Sequence, residues 1–125
     1  MRKAFVALLL FSMASAVSAA APGTAQNFLD RANRLKAKGP LAFFDSDYGK
    51  LKAEATAVGR SIGADRVAAE RAHQSILYCS PHPRASLGSF EFIGGLEAIP
   101  ADQRATMSLK DAMLRVLQKK YPCRR

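Results

Sequence analysis

Apolar residues recur along much of the chain at steps of three and four, the period of helices that bury a single stripe. Thr24 is placed to cap a first helix in which Phe28, Leu29, Ala32 and Leu35 share one face. Asp30 lies early in that helix and Arg31, Arg34, Lys36 and Lys38 lie toward its end, before Gly39 and Pro40 stop it. Leu41, Ala42, Phe43 and Phe44 then form a short apolar run, read either as a core plug or as a single helical turn. Asp45, Ser46 and Asp47 offer a second cap. From Ser46 onward, Tyr48, Leu51, Ala55, Val58 and Ile62 spell an amphipathic helix. Gly59 weakens it slightly, Gly63 is expected to kink or end it, and Asp65 to restart a helix through Val67, Ala68, Ala72 and Ile76.

Pro81 and Pro83, with His82 between them, forbid regular helix and force an extended connection, the clearest internal boundary of the chain. Beyond it Ser86 is placed to cap a helix with Leu87, Phe90, Ile93 and Leu96 on one side. Gly88, Gly94 and Gly95 make that helix poor in intrinsic propensity, and close packing is the expected reason for them. Pro100, Ala101 and Asp102 open a turn. Ser108 with Asp111 resembles a capping box ahead of a final helix carrying Leu109, Met113, Val116 and Leu117, which Pro122 ends. No alternating strand pattern and no internal repeat is present in the sequence. The expected fold class is therefore all-α, a small domain of four to five helices.

The first residues read differently. Arg2 and Lys3 precede an apolar run from Ala4 to Val17, interrupted only by Ser12 and Ser15, and small residues follow at once. This is the order of an export signal, with cleavage expected after Ala19 or Ala20. The run is shorter than the roughly twenty residues a membrane-spanning helix needs. Residues 1–19 are thus expected to be a signal peptide and residues 20–125 one domain, delivered in soluble form to the periplasm.

Two cysteines, Cys79 and Cys123, remain in the exported part, and an oxidising compartment favours pairing them as one disulfide. Charge adds a further constraint. Without Arg2 and Lys3 the 19 basic residues fall to 17 against 10 acidic ones, a formal charge of +7. Export argues against nucleic acid as the partner, whereas acidic proteins, anionic lipid headgroups or an anionic cell wall fit the surplus.

Candidate chemistry is sparse. The histidines are His73, in a stretch read as helical, and His82, in the proline-flanked loop. Cys79, His82 and Cys123 have metal-ligand spacing, but they supply only three ligands and the two thiols favour each other. No nucleophile elbow, phosphate loop, dinucleotide fingerprint or paired-carboxylate site stands out. The expectation is a binding protein without catalysis, cofactor or metal. Phe43 and Phe44, and separately Phe90 and Phe92, are pairs whose two members cannot both face one helical core, so one of each pair is expected to be exposed. Phe43, Phe44, Phe92 and the loop residue His82 are the candidate partner-binding positions.

A longer pattern gives a family likeness. Tyr78, Cys79 and Pro81 open a segment in which Ser86 and Leu87 start a helix, Ile99, Pro100 and Arg104 form a turn, and Ser108 leads into Ala112, Leu114 and Leu117. Tyr121, Pro122 and Cys123 close it. In this layout, over about 45 residues, the chain resembles the Rap/Tai immunity proteins of type VI secretion. The resemblance implies an exported helical domain that neutralises a toxin effector by protein–protein binding in the periplasm, often as a homodimer. The alternative is a small periplasmic stress chaperone that binds unfolded proteins.

Overall fold

Thr24 starts the first helix, as expected, in the computed structural model of the chain, which describes residues 20–81 and 85–124. The expected leader, residues 1–19, and the loop tip His82, Pro83 and Arg84 lie outside the described residues. Helix α1 (Ala25–Ala37) is capped by the Thr24 hydroxyl, which accepts the Asn27 N–H at 3.2 Å. Ala25, Phe28, Leu29 and Leu35 are buried along it. Gly39, at φ 58°, turns the chain out of α1 in the left-handed region that favours glycine.

A 3-10 helix (Gly39–Phe44) follows, so the helical-turn reading of this run holds and the core-plug reading does not. None of its residues is buried. Asp45 then caps α2 (Ser46–Arg71) by accepting the Asp47 N–H at 2.8 Å. The expected interruption at Gly63 is absent: α2 runs through 26 residues without a break. One glycine costs a helix only about 1 kcal/mol, and anchoring through buried Leu51 and Ile62 outweighs that. Asp65 caps nothing and instead pairs with Lys110 at 2.6 Å, tying α2 to the last helix. The helix ends before Ile76, and His73, expected to be helical, sits just beyond it at φ 53°.

After the loop, α3 (Ser89–Glu97) begins two residues later than Ser86 would have started it. Gly88 is its cap residue, and the Glu91 carboxylate reaches back to accept the Gly88 N–H at 3.2 Å. Ser86 is held otherwise, its carbonyl accepting from Lys120 at 2.8 Å. A single turn, α4 (Ala101–Arg104), leads to α5 (Leu109–Lys120), which Ser108 caps by accepting the Asp111 N–H at 3.0 Å, as expected. The Arg104 guanidinium donates to the carbonyls of Leu96, Glu97 and Ile99 at 2.7–3.2 Å and to Gln26 of α1 at 2.8 Å. It thereby supplies donors to carbonyls that the end of α3 leaves without helical partners.

The caps of α1 and α5 lie side by side. Ala25 N–H donates to Met107 O at 2.9 Å and Leu109 N–H to Gly23 O at 3.0 Å, an isolated antiparallel bridge between Thr24 and Ser108. From that common origin α1 and α5 pack against each other and against α2 and α3, burying Phe28, Phe92, Leu96, Leu109, Met113 and Leu117 in one core. Cys79 and Cys123 are joined as the expected disulfide, with Cα atoms 4.9 Å apart. The Cys79 N–H donates to Tyr121 O at 2.9 Å beside it, and buried Tyr78 lies under the Arg66 guanidinium at 5.6 Å.

Of the glycines in α3, packing accounts for Gly95. A Cβ there would stand 2.7 Å from both γ-carbons of Val116 on α5, whereas one on Gly94 would meet nothing within 4 Å. Valine is stiff at χ1 in a helix, so the clash cannot be relieved by rotation alone. Gly95→Ala is expected to destabilise the domain by about 1–3 kcal/mol through overpacking. Gly94→Ala should stabilise it by up to about 1 kcal/mol through helix propensity. Opposite signs in urea melts of the two variants check the assignment, and Gly95→Ala with Val116→Ala should recover part of the loss.

Candidate functional site

The sulfurs that could have served a metal are bonded to each other, so Cys79 and Cys123 are not thiolate ligands. Among the described residues no group of three or more His, Cys, Asp or Glu side chains converges. His73 is exposed at the end of α2, and His82 lies outside the described residues. A cavity of about 170 Å³ between the α3–α4 turn and α5 is lined by Ile99 and Val116 together with Arg115 and Lys119. That is below the roughly 300–1,000 Å³ usual for a small-molecule site. The distinctive features are on the surface.

The first is the corner between α1 and α2. Leu41, Phe43 and Phe44 of the 3-10 helix are 70%, 68% and 89% exposed. Three residues per turn place Leu41 and Phe44 one above the other, and Phe43 meets Tyr48 edge to face, with ring centroids 5.3 Å apart. Lys38 pairs with Asp45 across the base of the turn. That hydrogen bond, with the one from the Asp47 N–H, holds the Asp45 carboxyl below its ordinary pKa. Thus both Phe43 and Phe44 are open to solvent, where the sequence led to the expectation of one, because the 3-10 turn buries neither ring. The third aromatic candidate is not: Phe92 is 5% exposed and packs on Phe28, with ring centroids 5.5 Å apart. Phe90, two residues earlier on α3, is exposed in its place at 87%. A difference of two residues is about 200° around a helix, which sends one ring inward and the other out.

The second feature is the outward face of α2. Gly49, Ala53 and Ala57 form one row at four-residue spacing, and Lys52, Thr56 and Arg60 form the next, with a shallow groove between the rows. Such i±4 rows are the ridges and grooves by which helices pack, and small residues allow the closest approach. Lys52 and Arg60 make no ion pair among the described residues, whereas Glu54 turns inward to meet Arg31 at 2.7 Å. The groove is therefore small-sided and positively charged. The repeat that identified the buried stripe of α2 also defined this opposite face, but alanines on a helix carry no sequence signal that separates a contact surface from plain helix propensity.

No protein-family model matches the chain, and no curated protein or solved structure is significantly similar to it, so its surface and its disulfide frame are the guides to what it does.

Proposed function

We propose that this chain is an exported protein-binding domain of the immunity type, which neutralises a toxic partner by covering it and performs no catalysis. The observation that carries the reading is the outward face of α2, a 26-residue helix with a small-sided groove; among the described residues nothing packs on it, and Lys52 and Arg60 along its edge have no ion-pair partner. A partner that brings a helix with carboxylates to this groove would meet complementary charge, which speeds encounter and selects against other partners. The disulfide supports an oxidising compartment such as the periplasm. The layout from Tyr78 to Cys123 resembles the Rap/Tai immunity proteins, and that resemblance supports the choice of a toxin effector as partner.

The test uses residues 20–125, which contain every buried residue among those described, as bait for effectors of competing bacteria. One saturable partner whose toxicity is lost on binding is expected. Ala53→Glu with Ala57→Glu should weaken its capture at least tenfold, about 1.4 kcal/mol, while leaving stability within about 0.5 kcal/mol because both sites are exposed. Equal capture by the double variant would remove α2 as the docking face. A broad set of unfolded clients and no single partner would replace immunity by the chaperone reading.

A further inference from the structure

We propose that the corner between α1 and α2 docks on an anionic lipid bilayer, inserting Leu41, Phe43 and Phe44 while the surrounding lysines and arginine meet the headgroups. This site adjoins the α2 groove, with Lys52 between the two, and membrane docking goes beyond the protein-binding reading.

Shape and charge carry the inference. The three apolar side chains project from a turn at one end of the helix pair and are 68–89% exposed. A convex tip of this kind has no walls with which to enclose a ligand, but it can enter a soft surface. The chain that leads into and out of the tip is basic: residues 34–52 carry Arg34, Lys36 and Lys38 in the last turn of α1 and just beyond it and Lys50 and Lys52 in the first turns of α2, against the two carboxylates of Asp45 and Asp47. Lys38 is committed to Asp45, and Lys50 stands 3.9 Å from Asp47. Arg34, Lys36 and Lys52 have no ion-pair partner among the described residues.

An apolar tip bounded by unpaired cations matches the two forces that hold a peripheral protein on a membrane, burial of apolar surface at the acyl boundary and attraction to anionic headgroups. The turn is also held before it binds. Gly39 redirects the chain, the Lys38–Asp45 pair closes the turn, and the Phe43–Tyr48 contact braces it on α2. Insertion therefore has little ordering cost to overcome. No described helix is long and apolar enough to cross a membrane, so the association expected is at the surface.

The chain contains no tryptophan, which makes Phe44→Trp a single fluorescent reporter at the tip. With residues 20–125 and vesicles of phosphatidylcholine containing about 30% phosphatidylglycerol, its emission should shift to the blue and be quenched by brominated acyl chains. Pure phosphatidylcholine should bind at least tenfold more weakly, and salt at about 1 M, where the Debye length falls to about 3 Å, should release most of the protein. Phe43→Ser with Phe44→Ser, and separately Arg34→Glu with Lys36→Glu, should each reduce vesicle co-sedimentation of the otherwise native chain at least tenfold, with cooperative thermal melting retained. Ala53→Gln with Ala57→Gln, which fills the groove without changing the charge, should co-sediment as well as the native chain, which separates failure here from failure of the protein-docking reading. Absence of a spectral shift, equal binding to neutral vesicles, or full binding by the phenylalanine double variant would overturn the inference. Capture of a protein partner that depends on Phe43 and Phe44, without vesicle binding, would reassign the corner as a protein contact.

Discussion

Replacing Cys79 and Cys123 together by serine is expected to remove about 2–4 kcal/mol of stability, a large share of the roughly 5–15 kcal/mol of a small domain. The bond closes a loop of 44 residues that contains α3, α4 and α5. On the chain-entropy account such a closure is worth about 4 kcal/mol, most of it exerted on the unfolded chain. The location agrees with that account. Both cysteines are exposed, so exchanging sulfur for hydroxyl opens no internal cavity, and the Cys79–Tyr121 backbone hydrogen bond and buried Tyr78 still hold the junction. The loss should therefore come with a larger urea m-value, because the unlinked chain exposes more surface when it unfolds. Reduction of the native chain should reproduce both changes. An unchanged midpoint and m-value in the double serine variant would show that the bond has no part in stability.

Where local signals and tertiary packing agree, the sequence was enough. Thr24 and Ser108 are small oxygen-bearing residues immediately ahead of periodic apolar runs, and each caps the helix expected of it. The cysteines were legible from their count and the expected compartment. The misreadings fall where a weak local signal met a stronger distant one. Gly63 has a low helix propensity, but α2 is fastened on both sides of it, by Leu51 and Ile62 before and by the Asp65–Lys110 pair after. Ser86 is a good cap by type, yet Lys120 and Tyr121, some 35 positions away, hold its backbone, and the helix starts after Gly88 instead. The run from Leu41 to Phe44 is apolar enough for a core. It is left outside because Gly39 and Pro40 turn it away from the α1 axis before the core is reached. The candidate surface was legible only in part: spacing turned one ring of each pair outward, but Phe43 and Phe44 are both exposed because the 3-10 turn buries neither, and the choice between Phe90 and Phe92 depended on the register of α3, which its glycines concealed.

That register leads to the largest single-site effect expected in the domain. Phe92→Ala should cost about 3–5 kcal/mol, the range for deleting a buried aromatic ring, whereas Phe90→Ala should stay within about 0.5 kcal/mol. Phe92 connects α3 to α1 through Phe28, and only Leu96 is buried alongside it on α3. With nine residues and two glycines, α3 is too short and too poor in propensity to persist as a helix without that attachment. Truncating Phe92 should thus release α3 as a unit, with amide exchange accelerated from residue 89 to residue 97 before the rest of the domain opens. A double-mutant cycle with Phe28→Ala should return a coupling of about 0.5–1.5 kcal/mol for the ring pair. If Phe90→Ala proved as damaging as Phe92→Ala, the helix would have to be rotated from the arrangement described, and Gly95 would no longer lie against Val116. The two α3 tests, one deleting a ring and one adding a methyl, therefore check the same helix orientation from opposite directions.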